Sequence, residues 1–424
     1  MPGVMKKISA SGILVVALIV AVGSQLTTAQ TAAQYETPGT YRPAEVLPKD
    51  LVSGPRWEVL NPVVSDGYMF RSKLRSDYGP FEVTGVGALR KLVGELAAIA
   101  KLKEIRASKA FGTAVADSAA GPFRFAKNLI TSPVDTLSGI PKGAYKLVED
   151  VSETVTTERN PSEDPMYQKV LLASGRKREY AAQLGVDVYS SNKVLQAELN
   201  SVGWAAAVGN LTVSAALLPV GGPAGAALSG VRWSNAINDY VKAEPPSRLK
   251  IIAEEKLEEA GISADLARRF VNAAQFTPRH YILIAESLAR LGPAPARGRD
   301  LFLETALGAE DETDANLYAT IAQILRGYHE TVSPITDVRM RRRLAVALAK
   351  NGNAVVPLPV DFLLWTDTVD KRSRELAADY RERGGGGQVE LWLTGMASKL
   401  TLQQLGERKL AVIENARGRV EILD

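Results

Sequence analysis

Between Glu198 and Arg232 the chain carries no charged residue: LNSVGWAAAVGNLTVSAALLPVGGPAGAALSGV, Leu199 to Val231. A run of this length without charge belongs in a protein core or in lipid, so it constrains the fold more than any other stretch. Leu199 to Leu218 is long enough, as a helix, to cross about 30 Å of hydrocarbon. The second arm is not, because Arg232, Asn235 and Asp239 follow soon after Ala224. Asn200, Ser201, Asn210, Thr212 and Ser214 interrupt the first arm, and alanine and glycine insert far less favourably than leucine. A permanent two-span hairpin is therefore not expected.

Small residues recur four apart at Gly203/Ala207, Ala205/Gly209 and Gly221/Gly225, a spacing that lets helix backbones approach closely. A helix that is apolar all round belongs inside something. The expectation is a buried helical hairpin, 199–231, at the centre of a helical domain. The alternative is conditional insertion: pore-forming toxins hide such hairpins inside soluble bundles, and Trp204 would then be a membrane-contact residue.

The amino terminus reads as an export signal. Lys6 and Lys7 precede the apolar run Ile13 to Val22, and the small residues Thr27 and Ala29 suit cleavage after Ala29. The run is shorter than the roughly 20 apolar residues that favour a retained anchor. Without Lys6 and Lys7 the chain holds 49 basic residues against 47 acidic ones. That balance gives little support for a concentrated basic face, and nucleic acid is not expected as a partner. With no cysteine, disulfides, thiol catalysis and thiolate metal sites are excluded. The expected location is periplasmic or secreted, with peripheral membrane contact as an option.

Prolines at 38, 43, 48, 55 and 62 read as an extended tether over 30–55. RWEVL, GYMFRSKL and FEVTG are β-prone runs separated by turn signals, and Ala88 to Ile105 has apolar residues at helical spacing. Residues 56–106 thus read as a small β-meander closed by one helix. Residues 107–330 read as helical, with elements at 166–184, 195–218, 224–242, 246–260, 263–272, 278–291 and 313–328. Over 331–424, Asn351-Gly352 signals a hairpin, and helices alternating with strands indicate an α/β domain with parallel pairing. The predicted fold class is α+β, multi-domain, with these three parts in order.

Motifs for chemistry are few. His280 and His329, the two histidines, fall on different predicted helices with no HExxH pattern, and each reads as a helical surface or satisfied core histidine rather than a metal ligand. Ser174/Lys177 and Ser190/Lys193 match SxxK without supporting motifs. TGVGALR, Thr84 to Arg90, has a strand entering and a helix leaving, but Arg90 replaces the last glycine of GxGxxG. It reads as a tight turn. No cofactor or metal site is expected.

Ligands of open α/β sheets bind beyond the carboxyl ends of strands. There, Asp367 and Asp370 are the catalytic candidates of a hydrolase or ligand-binding reading, and Thr394, Gly395 and Ser398 the binding candidates. Thr366, Asp367, Thr368 and Ser398 read equally well as helix caps. Arg339, Arg341, Arg342 and Arg343 form the densest basic run, a candidate contact for anionic lipid or a solvated face. Glu310, Asp311, Glu312 and Asp314 lack calcium-loop spacing and suit a helix start.

VSDGYMFRSKL, YGPFEVTGVGALRKLVGELAAIAKL, SPVDTLSGIPKGAYKL, AAQLGVDVYSSNKVLQAELNSVGWAA and VELWLTGMAS together resemble a group of exported bacterial envelope proteins to which no activity is assigned. The resemblance implies an envelope protein of this three-part layout and transfers no functional residues. The combined expectation is a mainly non-enzymatic binding or scaffolding protein whose partner is an envelope protein or an anionic lipid surface.

Overall fold

Strand β5 (Phe70–Ser76) organises the amino-terminal sheet. Its sequence alternates: Phe70, Ser72 and Leu74 are buried, while Arg71, Lys73 and Arg75 face solvent. It pairs on one side with β3 (Trp57–Val59) and β4 (Val63–Ser65), and on the other with β6 (Gly79–Thr84), all antiparallel. Short strands β1 (Thr40–Tyr41) and β2 (Ser53–Gly54) extend it beside β4 and β3. The computed structural model describes residues 35–117, 165–209, 211, 241, 243–292, 297–382 and 386–423. The expected signal segment 1–29 lies outside them.

The proline-rich run, read from sequence as an extended tether, is packed from Thr40 onward. Pro43 opens helix α1 (Pro43–Val46), where a missing N–H costs nothing, and Pro48 precedes a single 3₁₀ turn. Leu47 and Leu51 between them are buried against the sheet's core. Proline spacing alone does not reveal those two apolar anchors.

Helix α2 (Val86–Ala107) leaves β6 directly and buries Leu89, Leu92, Leu96, Ile99 and Leu102. The helical region then runs through α3 (Lys109–Asp117), α4 (Pro165–Gln183), α5 (Lys193–Val208), α6 (Pro246–Glu259), α7 (Ala264–Val271), α8 (Pro278–Ala289), α9 (Arg299–Ala306) and α10 (Glu312–Thr331). Helix α9 was not foreseen. Its eight residues are short for periodicity to show, and it starts at Gly298 in the left-handed region.

Of the uncharged stretch, 199–209 and Leu211 are described; 210 and 212–231 lie outside. Leu199, Val202 and Ala205 are fully buried. A Cβ on Gly203 would stand 2.9 Å from the Ala173 carbonyl oxygen, and one on Gly209 2.0 Å from that of Ala114. The small residues thus bring α5 against α4 and α3. Glu198, just before the stretch, is buried and ion-paired with Arg106 and Lys103. Trp204 is half-buried on α5. Among the described residues no helix is long and apolar enough to cross a membrane.

The carboxy-terminal sheet has the order β13-β11-β9-β8-β7. Strands β7 (Ile335–Arg341), β8 (Leu344–Ala349) and β9 (Ala354–Leu358) are antiparallel, with Gly352 at positive φ in the Asn-Gly turn. Strands β9, β11 (Val389–Leu393) and β13 (Leu410–Ile413) are parallel, linked by α11 (Asp367–Glu382) and α12 (Lys399–Glu407). A short parallel pair, β10 (Phe362–Leu363) and β12 (Met396–Ala397), lies beyond the strand ends. The fold is α+β as expected: antiparallel sheet, helical middle, mixed sheet with helices.

One face of the carboxy-terminal sheet packs on α11 and α12 through Val356, Trp365, Leu376, Leu391 and Leu405. The other carries Val355 and Trp392 into the core shared with the helices and the amino-terminal sheet. Trp392 meets Tyr328 of α10 edge-on at 5.3 Å. Residues Pro38–Asp424 form one unit with two hydrophobic clusters, one on each face of this sheet.

Candidate functional site

The parallel strands β9, β11 and β13 end together, and their carboxyl ends open into a cleft of about 1090 Å³. Asp361, Thr394, Gly395, Asn415 and Arg417 contribute from the strand ends. The opposite walls come from β6 and the first turns of α2, from the loop before α5, and from α10. A crevice at the carboxyl ends of parallel strands is where open α/β sheets bind ligands.

Asp361 joins the two sheets at this point. Its Oδ1 accepts the Val86 N–H at 2.9 Å and its Oδ2 accepts the Phe70 N–H at 2.8 Å. Its own N–H donates to the Tyr68 carbonyl at 2.8 Å. Burial raises its carboxyl pKa, against the two N–H donors and the charge of Arg417. The carboxylate thus supplies the negative charge that a helix amino terminus attracts. The TGVGALR turn is a tight strand-to-helix connection whose anion is a residue of the chain itself. Gly85, at φ 99°, makes that turn.

A second polar cluster forms the cleft floor. Glu95, buried on the apolar face of α2, accepts Ser190 Oγ at 2.6 Å and Asn192 Nδ2 at 2.9 Å. Burial raises its pKa, with Lys91, Ser190 and Asn192 opposing. Lys91 lies 3.1 Å from Glu312 Oε1 and 3.7 Å from Asp187 Oδ2. Burial disfavours its ammonium, but Asp187, Glu95 and Glu312 outweigh that and raise its pKa. Burial likewise opposes ionisation of Glu312, and Lys91 with Ser191 holds its carboxyl below the usual range. The cluster ties α2, the 187–192 loop and α10 together. It is a half-buried network in which three carboxylates share one ammonium, and the described residues hold no grouping suited to a metal ion.

The strand-end expectation located Thr394 and Gly395 in the cleft. Thr394 Oγ1 donates to the Val360 carbonyl at 2.8 Å, and a Cβ on Gly395 would stand 2.0 Å from the Asp361 carbonyl oxygen. Ser398 is instead the amino-terminal cap of α12, accepting the Thr401 N–H at 3.0 Å. Asp367 and Asp370 do not converge on the cleft. Asp367 is half exposed and pairs with Lys371 at 2.7 Å. Asp370 is buried and ion-paired with Arg374 and Arg408, the latter stacked 4.5 Å over the Trp365 ring. Thr366 caps α11, accepting the Val369 N–H at 3.3 Å.

The arginine run does not present one basic face. Arg339 pairs with Asp337, Arg341 with Asp379 and Arg343 with Asp314, and Arg342 holds the β7–β8 turn at φ 56°. Strand alternation sends neighbours to opposite sides. Neither SxxK pair forms a serine–lysine dyad. Ser190 donates to Glu95, and Lys177 donates to Gln196 at 2.6 Å, its pKa lowered to about 8 by burial and Arg178. His280 is a satisfied core histidine: Nδ1 accepts the Thr277 N–H at 3.1 Å, which leaves Nε2–H to donate to Asn316 at 3.0 Å. His329 Nδ1 accepts the Ile335 N–H at 3.0 Å. Asp311 caps α10, as the acidic run suggested.

Lys91, Glu95 and Asp361 were missed from sequence. Glu95 carried a signal, three after Leu92 and four before Ile99 on the apolar face; Asp361 shows only as a break in the apolar run AVVPLPVDFLLW, and Lys91 carried none. Comparison of the chain with protein-family models, with curated proteins and with solved structures finds no match.

Proposed function

We propose that the protein is an exported envelope protein of binding type, and that the cleft at the ends of β9, β11 and β13 is its ligand seat. The convergence of three parallel strand ends with β6 and α2 on one cleft of about 1090 Å³ supports this reading most. Ligand sites are commonly clefts of roughly 300–1,000 Å³ with apolar walls and a few placed polar groups. Carboxylates on its floor and rim are engaged in holding elements together, which favours binding over acid–base turnover. Export rests on the amino-terminal pattern and on the resemblance to envelope proteins.

The test is a thermal-shift panel of amino acids, peptides, sugars, nucleotides and fatty acids on the purified protein and on Gly418→Trp. Gly418 lines the cleft, and a Cβ there meets nothing within 4 Å, so an indole can be added at the cleft's edge without displacing backbone. The expected result is stabilisation by one class, lost in Gly418→Trp. A stabilising class that acts equally on both proteins overturns the assignment. Amino-terminal sequencing of protein recovered from cells is expected to begin at Gln30, and an intact Met1 overturns the export reading.

A further inference from the structure

Strand β6 is an edge. Among the described residues it pairs with β5 alone, while β3 and β4 take the other side of β5. The Gly85 N–H donates to the Phe70 carbonyl at 2.8 Å, which sets the phase of the antiparallel ladder. In that phase Gly79, Phe81 and Val83 direct their backbone groups at β5. Pro80, Glu82 and Thr84 direct theirs outward, and of these Pro80 has no N–H. Every residue of β6 lines the cleft.

The charges around this edge are unevenly spent. Of the acidic residues in the cleft, Glu95 is held by Ser190 and Asn192, Glu312 by Lys91, Asp314 by Arg343, and Asp361 by two backbone N–H groups. Glu82 stands 3.9 Å from Arg71. Among the cations, Lys91 is committed to Asp187 and Glu312. Arg90 and Lys193 line the cleft with no hydrogen bond or ion pair among the described residues. The uncommitted charge is therefore positive. Leu317 and Met396, the latter half exposed, add apolar wall.

From the open edge, the two cations and the apolar wall, we infer that the cleft receives an extended acidic peptide segment of a partner protein, added as a strand to β6 with its carboxylates toward Arg90 and Lys193. Strand addition takes affinity from main-chain hydrogen bonds and specificity from alternate side chains. A strand turns alternate side chains to opposite sides, so one row meets the apolar wall and the other the cations. The inference rests on the cleft being the ligand seat.

The experiment titrates the full chain with fluorescein-labelled acetyl-Val-Glu-Val-Glu-Val-Glu-amide, its lysine counterpart, and the glutamate peptide N-methylated at every valine and glutamate, so that neither edge keeps its donors. The expected result is at least tenfold tighter binding of the glutamate peptide than of the other two. In Arg90→Glu/Lys193→Glu the preference between glutamate and lysine peptides reverses. Equal affinity for glutamate and lysine peptides, or no effect of N-methylation, overturns strand addition of an acidic segment. The cleft reading then still stands if Gly418→Trp abolishes a panel compound's thermal shift, and falls if that variant changes neither measurement.

Discussion

Asp361 Oδ1 accepts the backbone N–H of Val86 at 2.9 Å across 275 residues of sequence. The contact places the end of the carboxy-terminal sheet against the start of α2, and the cleft exists because those two meet. With Oδ2 on the Phe70 N–H, one carboxylate fixes two elements of the amino-terminal region. Asp361→Asn keeps one acceptor and turns an amide N–H₂ toward the other donor. The expected loss is about 1.5–3 kcal/mol, the range for hydrogen bonds to a charged group. A lowered urea midpoint with an unchanged slope checks it.

Asp367 and Asp370 separate cleanly by burial. Asp370→Ala leaves Arg408, only 18% exposed, without its carboxylate. A loss of about 3 kcal/mol is expected, as for breaking buried pairs. Asp367→Ala removes an exposed pair with Lys371 and costs about 0.5 kcal/mol or less. Urea melts of both variants measure this. A larger cost at Asp367 than at Asp370 contradicts the assignment of Asp370 as a structural ion pair.

Much of this layout is legible in local sequence. Apolar spacing over Ala88 to Ile105 marks α2, Asn351-Gly352 marks a hairpin, and alternating helices and strands mark the parallel half of the last sheet. The strand-end rule led to Thr394 and Gly395. The same rule pointed to Asp367 and Asp370, which lie outside the cleft in the first turn of a helix, where i,i+4 pairing engages them. Asp361 became visible only when β5 and α2 came to it, and such long-range pairing leaves no periodicity. The half-buried Lys91–Glu312 pair is illegible for the same reason. Leu47 and Leu51 show the limit of composition: five prolines suggest an extended tether, and two leucines between them pack it down.

His280 is expected to stay neutral through the physiological range. Burial and the Arg279 charge lower its pKa to about 4, and Asn316 opposes them. A histidine whose folded pKa is depressed contributes stability above its ordinary value near 6.5 that is lost as pH falls toward the folded value. Glu95, raised by burial, works in the opposite sense: its contribution is present below about 4.5 and lost as pH rises through its folded pKa. With two histidines in the chain, ring NMR resolves the question directly. His280 should keep the Nε2–H tautomer to about pH 4, and titration near 6.5 contradicts its placement.

The cleft at the strand ends is the proposed binding surface. Hydrogen–deuterium exchange of the full chain, with and without acetyl-Val-Glu-Val-Glu-Val-Glu-amide, tests it most directly. The expected result is slowed exchange at Glu82 and Thr84, with protection in 394–396 and 415–418. Protection confined to 199–209, or to the β7–β8 turn at Arg342, would place the binding surface elsewhere and contradict the account.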